Sequence, residues 1–272
     1  MVMPPYVWRS RRDATTFASM RRWLFVLFLF SLAAFVTWQW WVRRSNVVKM
    51  TELATPAPAE DRVAAARARR GKKVARLCRE VGVEYPPHEM FLRAFKAGRE
   101  IEAWGRSNDG PFHRIASWPV LAASGEPGPK RREGDRQVPE GCYRVAVFNP
   151  LSNFHLSLGL DYPNESDRVR SDPQAPGSDI YIHGGAASIG CLALGDDAIE
   201  ELYLLARDTR EPSIPVHIFP ARMDGRGWEN LRASQPGLMP FWAELAPIYE
   251  AFEKTHRVPA VSVQADGSYR LR

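Results

Sequence analysis

Between Trp23 and Val42 the chain runs for 20 residues without a charge. At about 1.5 Å per residue a helix of that length reaches about 30 Å, the depth of a bilayer's hydrocarbon core. Trp23 opens the run and Trp38, Trp40 and Trp41 close it, where aromatic side chains settle at the two membrane interfaces. A core helix is rarely apolar on every face over such a length. A cleavable leader would carry a shorter apolar core and a small-residue cleavage site rather than Thr-Trp-Gln-Trp-Trp. The run is expected to be an uncleaved transmembrane helix over 23–42. Arg9, Arg11, Arg12, Arg21 and Arg22 precede it, against Arg43, Arg44 and Lys49 after it. That excess predicts a cytoplasmic basic tail over 1–22 and a body on the far side of the membrane.

The charge distribution bounds the function of that body. Residues 1–80 carry 16 Lys/Arg against 5 Asp/Glu, a balance of +11, whereas residues 81–272 carry 21 against 26, a balance of −5. Nucleic-acid recognition needs its basic patch on the folded surface that meets phosphates, so the pI of about 9.4 belongs to the tail and argues for no nucleic-acid partner. Three cysteines, Cys78, Cys142 and Cys191, are too few for a disulfide framework and lack zinc-site spacing. A Cys78–Cys142 disulfide is left open. No metal or organic cofactor is implied.

After a short Pro/Ala linker, the Ala- and Arg-rich stretch from Asp61 to about Val81 is built of strong helix formers, with an interruption at Gly71. It reads as a solvated helical spacer in preference to a basic helix attracted to anionic lipid or polymer, and Val74, Leu77, Cys78 and Val81 form one apolar stripe suited to docking. Beyond Pro86-Pro87 the pattern becomes β-like: Met90–Phe95 and Glu100–Trp104 as a hairpin around Lys96-Ala-Gly98, then His113–Val120. Cys142–Phe148 alternates with Tyr143, Val145 and Val147 inward. Phe154–Leu160 alternates with Phe154, Leu156, Leu158 and Leu160 on one face. Asp179–His183, Val216–Phe219 and Val258–Val263 are shorter strands. Asp197 to Glu200 has capping-box spacing ahead of a helix with Ile199, Leu202, Tyr203 and Ala206 on one face. A second helix runs from Pro240 to about His256, burying Phe241, Leu245, Ile248, Tyr249 and Phe252. The fold class is mainly β with flanking helices, a β-sandwich or barrel-like domain, preceded by the transmembrane helix.

The stretch richest in chemistry is Asp179-Ile-Tyr-Ile-His183-Gly-Gly-Ala-Ala-Ser188-Ile-Gly190-Cys191. A strand delivers His183 into a turn of small residues, and Cys191 follows eight positions later. Small residues permit close backbone approach and unusual backbone angles. Such a turn can hold a thiol, an imidazole and free N–H groups together, the parts needed for cysteine acyl transfer. On these residues alone, a buried structural Cys and His remain the commoner outcome.

The segment resembles the active-site motif of the L,D-transpeptidase (YkuD-type) catalytic domain, in which a strand ends in His-Gly and a later Ser-x-Gly-Cys carries the nucleophile. The loop from Gly125 to Gly141, the stretch Asn149-Pro-Leu-Ser-Asn-Phe-His155 and Tyr162-Pro-Asn164 also resemble segments of that family, in the same order. The resemblance implies Cys191 as nucleophile, His183 as its base, the Gly184 carbonyl as orienter of the imidazole, and the amides of Gly190 and Cys191 as oxyanion donors. His155, Tyr162 and Ser188 are implied as weaker candidates for lining the site. Ile189 and Ala193 stand where typical members place a second His and an Arg. Those departures resemble a divergent Gram-negative branch that includes an amidase releasing lipoprotein from murein.

The implied organisation is the tail (1–22), the anchor (23–42), a linker and basic helix (43–85), an L,D-transpeptidase-like catalytic domain (86–225) and a C-terminal helical extension (226–272). The implied activity is acyl transfer on peptidoglycan stem peptides through a Cys191 thioester, with murein-linked lipoprotein a further candidate partner. The implied location is the inner membrane, single-pass, with the catalytic domain in the periplasm. Two alternatives stand beside it: a hydrolytic murein amidase or L,D-carboxypeptidase, and a non-catalytic wall-binding module. A papain-like protease would place its Cys before its His, the reverse of the order here.

Overall fold

The β-like runs pair with one another in the computed structural model, which describes residues 59–272. The basic tail, the anchor and the linker up to residue 58 lie outside the described residues. Among the described residues no helix is long and apolar enough to cross a membrane.

The hairpin forms as the sequence suggests: β1 (Glu89–Phe95) and β2 (Glu100–Arg106) pair antiparallel, and β3 (His113–Pro119) adds to β2. Next come β4 (Gly141–Asn149), β5 (Ser157–Leu160), β6 (Tyr181–His183), β7 (Leu192–Ala193) and β8 (Pro215–Phe219). They join one mixed sheet ordered β3-β2-β1-β8-β4-β5-β6-β7. It is a single sheet, so the two-sheet sandwich is set aside. The barrel-like alternative is closer, because the chain just past β3 bridges the opposite edge. Leu121 N–H donates to the Ala193 carbonyl at 2.8 Å, and Ala193 N–H to that of Ala122 at 3.0 Å. Bringing the two edges together leaves fewer unpaired backbone groups.

Helices lie on both faces of the central strands. Leu92, Ala94, Val216 and Ile218 pack in one core with Leu202, Tyr203, Val74 and Cys78, from α3 (Asp196–Asp208) and α1 (Ala59–Glu80). Phe95 and Phe219 pack in another with Trp228, from α4 (Gly225–Ser234), and with Trp242, Leu245 and Tyr249 from α5 (Met239–Thr255). Successive strand residues point to opposite faces, so covering both faces explains why β1 is buried continuously from Met90 to Phe95 rather than alternating. Even Arg93 is buried there, with Glu102 at 2.8 Å and Glu253 at 2.5 Å. The described residues form one compact unit, to which α1, α4 and α5 belong.

Several local expectations change. α1 continues through Gly71 and is no solvated spacer. Ala66, Val74 and Cys78 are fully buried, and its cations meet α3: Arg67 with Asp208 at 2.6 Å, Lys73 with Glu201 at 2.6 Å, Arg69 with Glu200, and Arg70 with Asp197. The apolar stripe and the carboxylates of α3 together hold what little face an Ala-rich helix has. The alternation of β4 breaks at a register shift between Val145 and Val147, which exposes Val147 and turns Phe148 toward the core, as a bulge does. β5 begins only at Ser157, because His155 sits at φ +72, outside the strand region. Phe154 is consequently exposed. α3 starts at Asp196 with Gly195 as its N-cap and no side-chain cap. The expected capping box is absent because Glu200 is drawn to Arg69 instead. Val261–Val263 (β9) pairs with Tyr269–Leu271 (β10) as a separate hairpin, and Cys78 and Cys142 are both free thiols.

Candidate active site

β6 lies between β5 and β7, and its pairings aim the chemistry. Tyr181 and His183 occupy alternate positions of the strand, which places them on one face, and together with Asp179 ahead of the strand they line a cleft of about 400 Å3 that also holds Cys191. Across the strands, Asn149 of β4 stands opposite Ser157 of β5, and Ser157 opposite His183. This row of three side chains lines the same cleft. The loop from Leu151 to Phe154 forms the rest of the wall, and the Phe154 ring lies 4.6 Å from that of His183.

The imidazole is oriented by the main chain. His183 Nδ1 donates to the carbonyl of Gly184 at 2.6 Å, which fixes the proton on Nδ1 and leaves Nε2 as a lone pair. Gly184 has a steric reason to lack a side chain: a Cβ would lie 2.6 Å from both the Phe154 carbonyl and Asp196 Oδ1. Only the bare backbone lets the rim loop close on the histidine turn. Burial lowers the His183 pKa from its ordinary 6.5, against the Gly184 hydrogen bond, which raises it. Burial likewise raises that of the Cys191 thiol above 9.0. Burial thus favours the neutral form of both groups.

Cys191 sits one residue ahead of β7, beside the seam that joins the sheet's two edges. Its turn is held by two hydroxyls. Ser188 Oγ accepts from Cys191 N–H at 2.9 Å and donates to the Cys191 carbonyl at 2.6 Å. Ser124 Oγ accepts from Gly190 N–H at 2.7 Å, and Gly190 at φ +98 adopts a conformation side chains resist. The thiol itself points to the Asp179 carbonyl, with Sγ at 3.5 Å. Both amides implied as oxyanion donors are thus capped by serine hydroxyls in this state.

The structure brings Cys191, His183, Gly184, Gly190 and Ser188 together around one turn. It does not bring His155 or Tyr162 into the cleft lining. His155 Nε2 lies 2.8 Å from Glu200 Oε1, in the network that joins α1 to α3. Tyr162 is buried, with its hydroxyl donating to the Pro176 carbonyl at 2.8 Å. Phe154, Leu151, Asn149, Ser157, Asp179 and Tyr181 line the cleft without having been read from the sequence as site residues. Ser157 carried a partial signal, since it lies in a strand that alternation marks. Arg62 of α1 supports the rim from behind, donating to the carbonyls of Ser152 at 2.8 Å and His155 at 3.0 Å. Among the described residues no cluster of three His, Cys, Asp or Glu is placed to hold a metal ion.

A family model for the L,D-transpeptidase catalytic domain (YkuD) matches residues 97–218. YafK of Escherichia coli strain K12, provisionally named an L,D-transpeptidase, is 30% identical over 185 residues, covering 66% of this chain and 72% of YafK. Among solved structures, the helical cell shape determining protein Pgp2 of Campylobacter jejuni aligns with a TM-score of 0.42 at 15% identity, over 70% of this chain and 80% of that one. Bd1075 of Bdellovibrio bacteriovorus aligns with a TM-score of 0.37 at 20% identity, over 62% and 61%. The matched span of the family model contains both His183 and Cys191, and the chain belongs to the L,D-transpeptidase family.

Proposed function

We propose that the protein catalyses cysteine-dependent acyl transfer on peptidoglycan stem peptides. The observation that carries this reading is the pairing of Cys191 with a tautomer-fixed His183 in one cleft. Neutral His183 Nε2 takes the thiol proton as Sγ attacks a stem-peptide carbonyl. The tetrahedral oxyanion forms beside the amides of Gly190 and Cys191, which serve it once the hydroxyls of Ser124 and Ser188 turn away. The imidazolium then protonates the departing amine, leaving a thioester on Cys191. An incoming amine completes transpeptidation, while water completes an amidase or carboxypeptidase reaction. Family membership supports the substrate class. The uncharged run over 23–42 and its flanking arginines support a single-pass anchor in the inner membrane, with this domain in the periplasm. Murein-linked lipoprotein is a second substrate under the same chemistry.

The test uses the full chain with tetrapeptide muropeptides and with a murein tripeptide carrying a lysine-linked adduct, products being separated by liquid chromatography and identified by mass. Cross-linked or exchanged products identify a transpeptidase, and free adduct with unmodified tripeptide identifies a hydrolytic amidase. Binding without turnover would leave a wall-binding module.

A further inference from the structure

A second cavity, of about 910 Å3, shares no lining residue with the cleft at Cys191. One wall is the C-terminal hairpin. Val261, Ser262 and Val263, the whole of β9, line it together, whereas a strand presented by its face would offer only every second side chain. β9 therefore borders the cavity along an edge, and the ladder identifies which groups that edge carries. Arg272 N–H donates to the Ala260 carbonyl at 2.9 Å, and Gln264 N–H to the Ser268 carbonyl at 2.8 Å. Ser262 lies between them, opposite Arg270. Hydrogen-bonded and non-bonded positions alternate in an antiparallel pair, so Val261 and Val263 turn their N–H and C=O groups away from β10. The hairpin's sheet has only these two strands among the described residues, and the outward groups have no backbone partner among them. The rim of the cavity is basic. Arg144, Arg168 and Arg272 are exposed there, against the carboxylates of Asp161 and Glu165. Asp161 engages Arg144 at 2.9 Å, whereas Arg168 and Arg272 have no ion-pair partner among the described residues. This local excess stands on a body whose overall balance is −5.

We propose that this cavity docks a short acidic segment of a partner protein, which adds as a strand to the free edge of β9 and places carboxylates on Arg168 and Arg272. In strand addition the main-chain hydrogen bonds, here to Val261 and Val263, supply affinity, and the side chains supply the choice of partner. Guanidinium–carboxylate pairs select an acidic sequence over a neutral one. The volume suits a few residues of extended chain. A strand that pairs along an edge turns its side chains alternately to two faces, a pleat built from residues of one hand. A stem peptide mixes L- and D-residues, so this site takes a different ligand from the one assigned to Cys191. Docking here is independent of the chemistry in the cleft.

The experiment measures fluorescence anisotropy of a fluorescein-labelled L-peptide, Val-Glu-Val-Glu-Val, titrated with the full chain in detergent. The expected result is saturable binding that is unchanged in Cys191→Ala. Replacing both Glu of the peptide by Gln weakens it about fivefold or more through the lost charge pairs, and so does the double variant Arg168→Glu, Arg272→Glu, whose substitutions are on the surface. N-methylation of the peptide's central amide weakens binding about fivefold or more by removing a main-chain donor, with no change to the protein. Val263→Pro removes an N–H that faces away from β10, where an edge strand tolerates proline, and weakens binding similarly, its fold being checked by circular dichroism. Absence of saturable binding, equal binding of the acidic, Gln and N-methylated peptides, or a loss confined to Cys191→Ala overturns the assignment. Displacement of the probe by an unlabelled stem tetrapeptide as effectively as by the unlabelled L-peptide overturns the protein partner. A dimer of the full chain that Val263→Pro dissociates, seen by sedimentation, overturns it in favour of a second copy of this chain.

Discussion

Among the described residues the sheet region carries two cysteine–histidine pairs, and they differ in how the imidazole is held. Cys142 of β4 stands directly opposite His217 of β8, and both line a cavity of about 910 Å3, larger than the cleft at Cys191. Composition and volume alone would favour that site. His217, however, is clamped edge-on against Phe91, at 4.8 Å between ring centroids, and its Nδ1 has no partner among the described residues. Burial drives the His217 pKa down to about 3, with Arg93 adding to the shift, and burial pushes the Cys142 thiol far up. At the other pair a backbone carbonyl selects the tautomer of His183, and the shifts on both groups come mainly from partial burial in an accessible cleft. An imidazole oriented by a hydrogen bond distinguishes the pairs.

The largest expected effect comes from exchanging the two thiols' fates. Cys191→Ala abolishes turnover of muropeptides, a loss of at least about 10³-fold as for other covalent nucleophiles, whereas Cys142→Ala stays within about twofold. A chromatographic assay on both variants checks this, and comparable losses would erase the distinction. Next, His183→Gln lowers kcat by about 10²–10⁴, the usual contribution of a general base, with the folded state checked by circular dichroism.

The pH profile sharpens the comparison further. Protonation of His183 removes the lone pair that accepts the thiol proton, so activity is lost as pH falls. Because burial lowers this pKa, the acid limb of kcat/KM lies below the ordinary imidazole value of 6.5. Because burial raises the Cys191 pKa, the neutral thiol persists beyond 9.0, and the rate forms a plateau between the two. An alkaline limb well below 9.0, from loss of an imidazolium proton, would instead indicate a thiolate–imidazolium pair. The smallest effect belongs to Arg62→Ala, which unties α1 from the rim carbonyls of Ser152 and His155. It should reduce kcat/KM about threefold to tenfold through a looser Phe154 wall, and stability by about 1 kcal/mol, read from urea unfolding.

What could be read without coordinates was the local part. Cys191 and His183 lie eight residues apart in a turn of small residues, so their cooperation is visible in one short window. The β1–β2 hairpin and α5 follow from periodicities of two and 3.6. The wall of the cleft was hidden because it is made by pairing. Ser157 meets His183 and Asn149 only through the registers of three strands, and Arg62 meets the rim loop across 90 residues of chain. Alternation placed Phe154 in the core, but the positive φ of His155 ends the strand and leaves that ring free to cover the imidazole. The ion-pair network likewise overrode local preference: Glu200 serves Arg69 and His155 instead of capping its own helix.

The most direct measurement is peptide-resolved mass spectrometry of the full chain, quenched during turnover of a tetrapeptide muropeptide. The account predicts an acyl mass on Cys191, no such mass on Cys142, and slower appearance in His183→Gln. Turnover with no adduct on Cys191, or turnover that persists in Cys191→Ala, would contradict it.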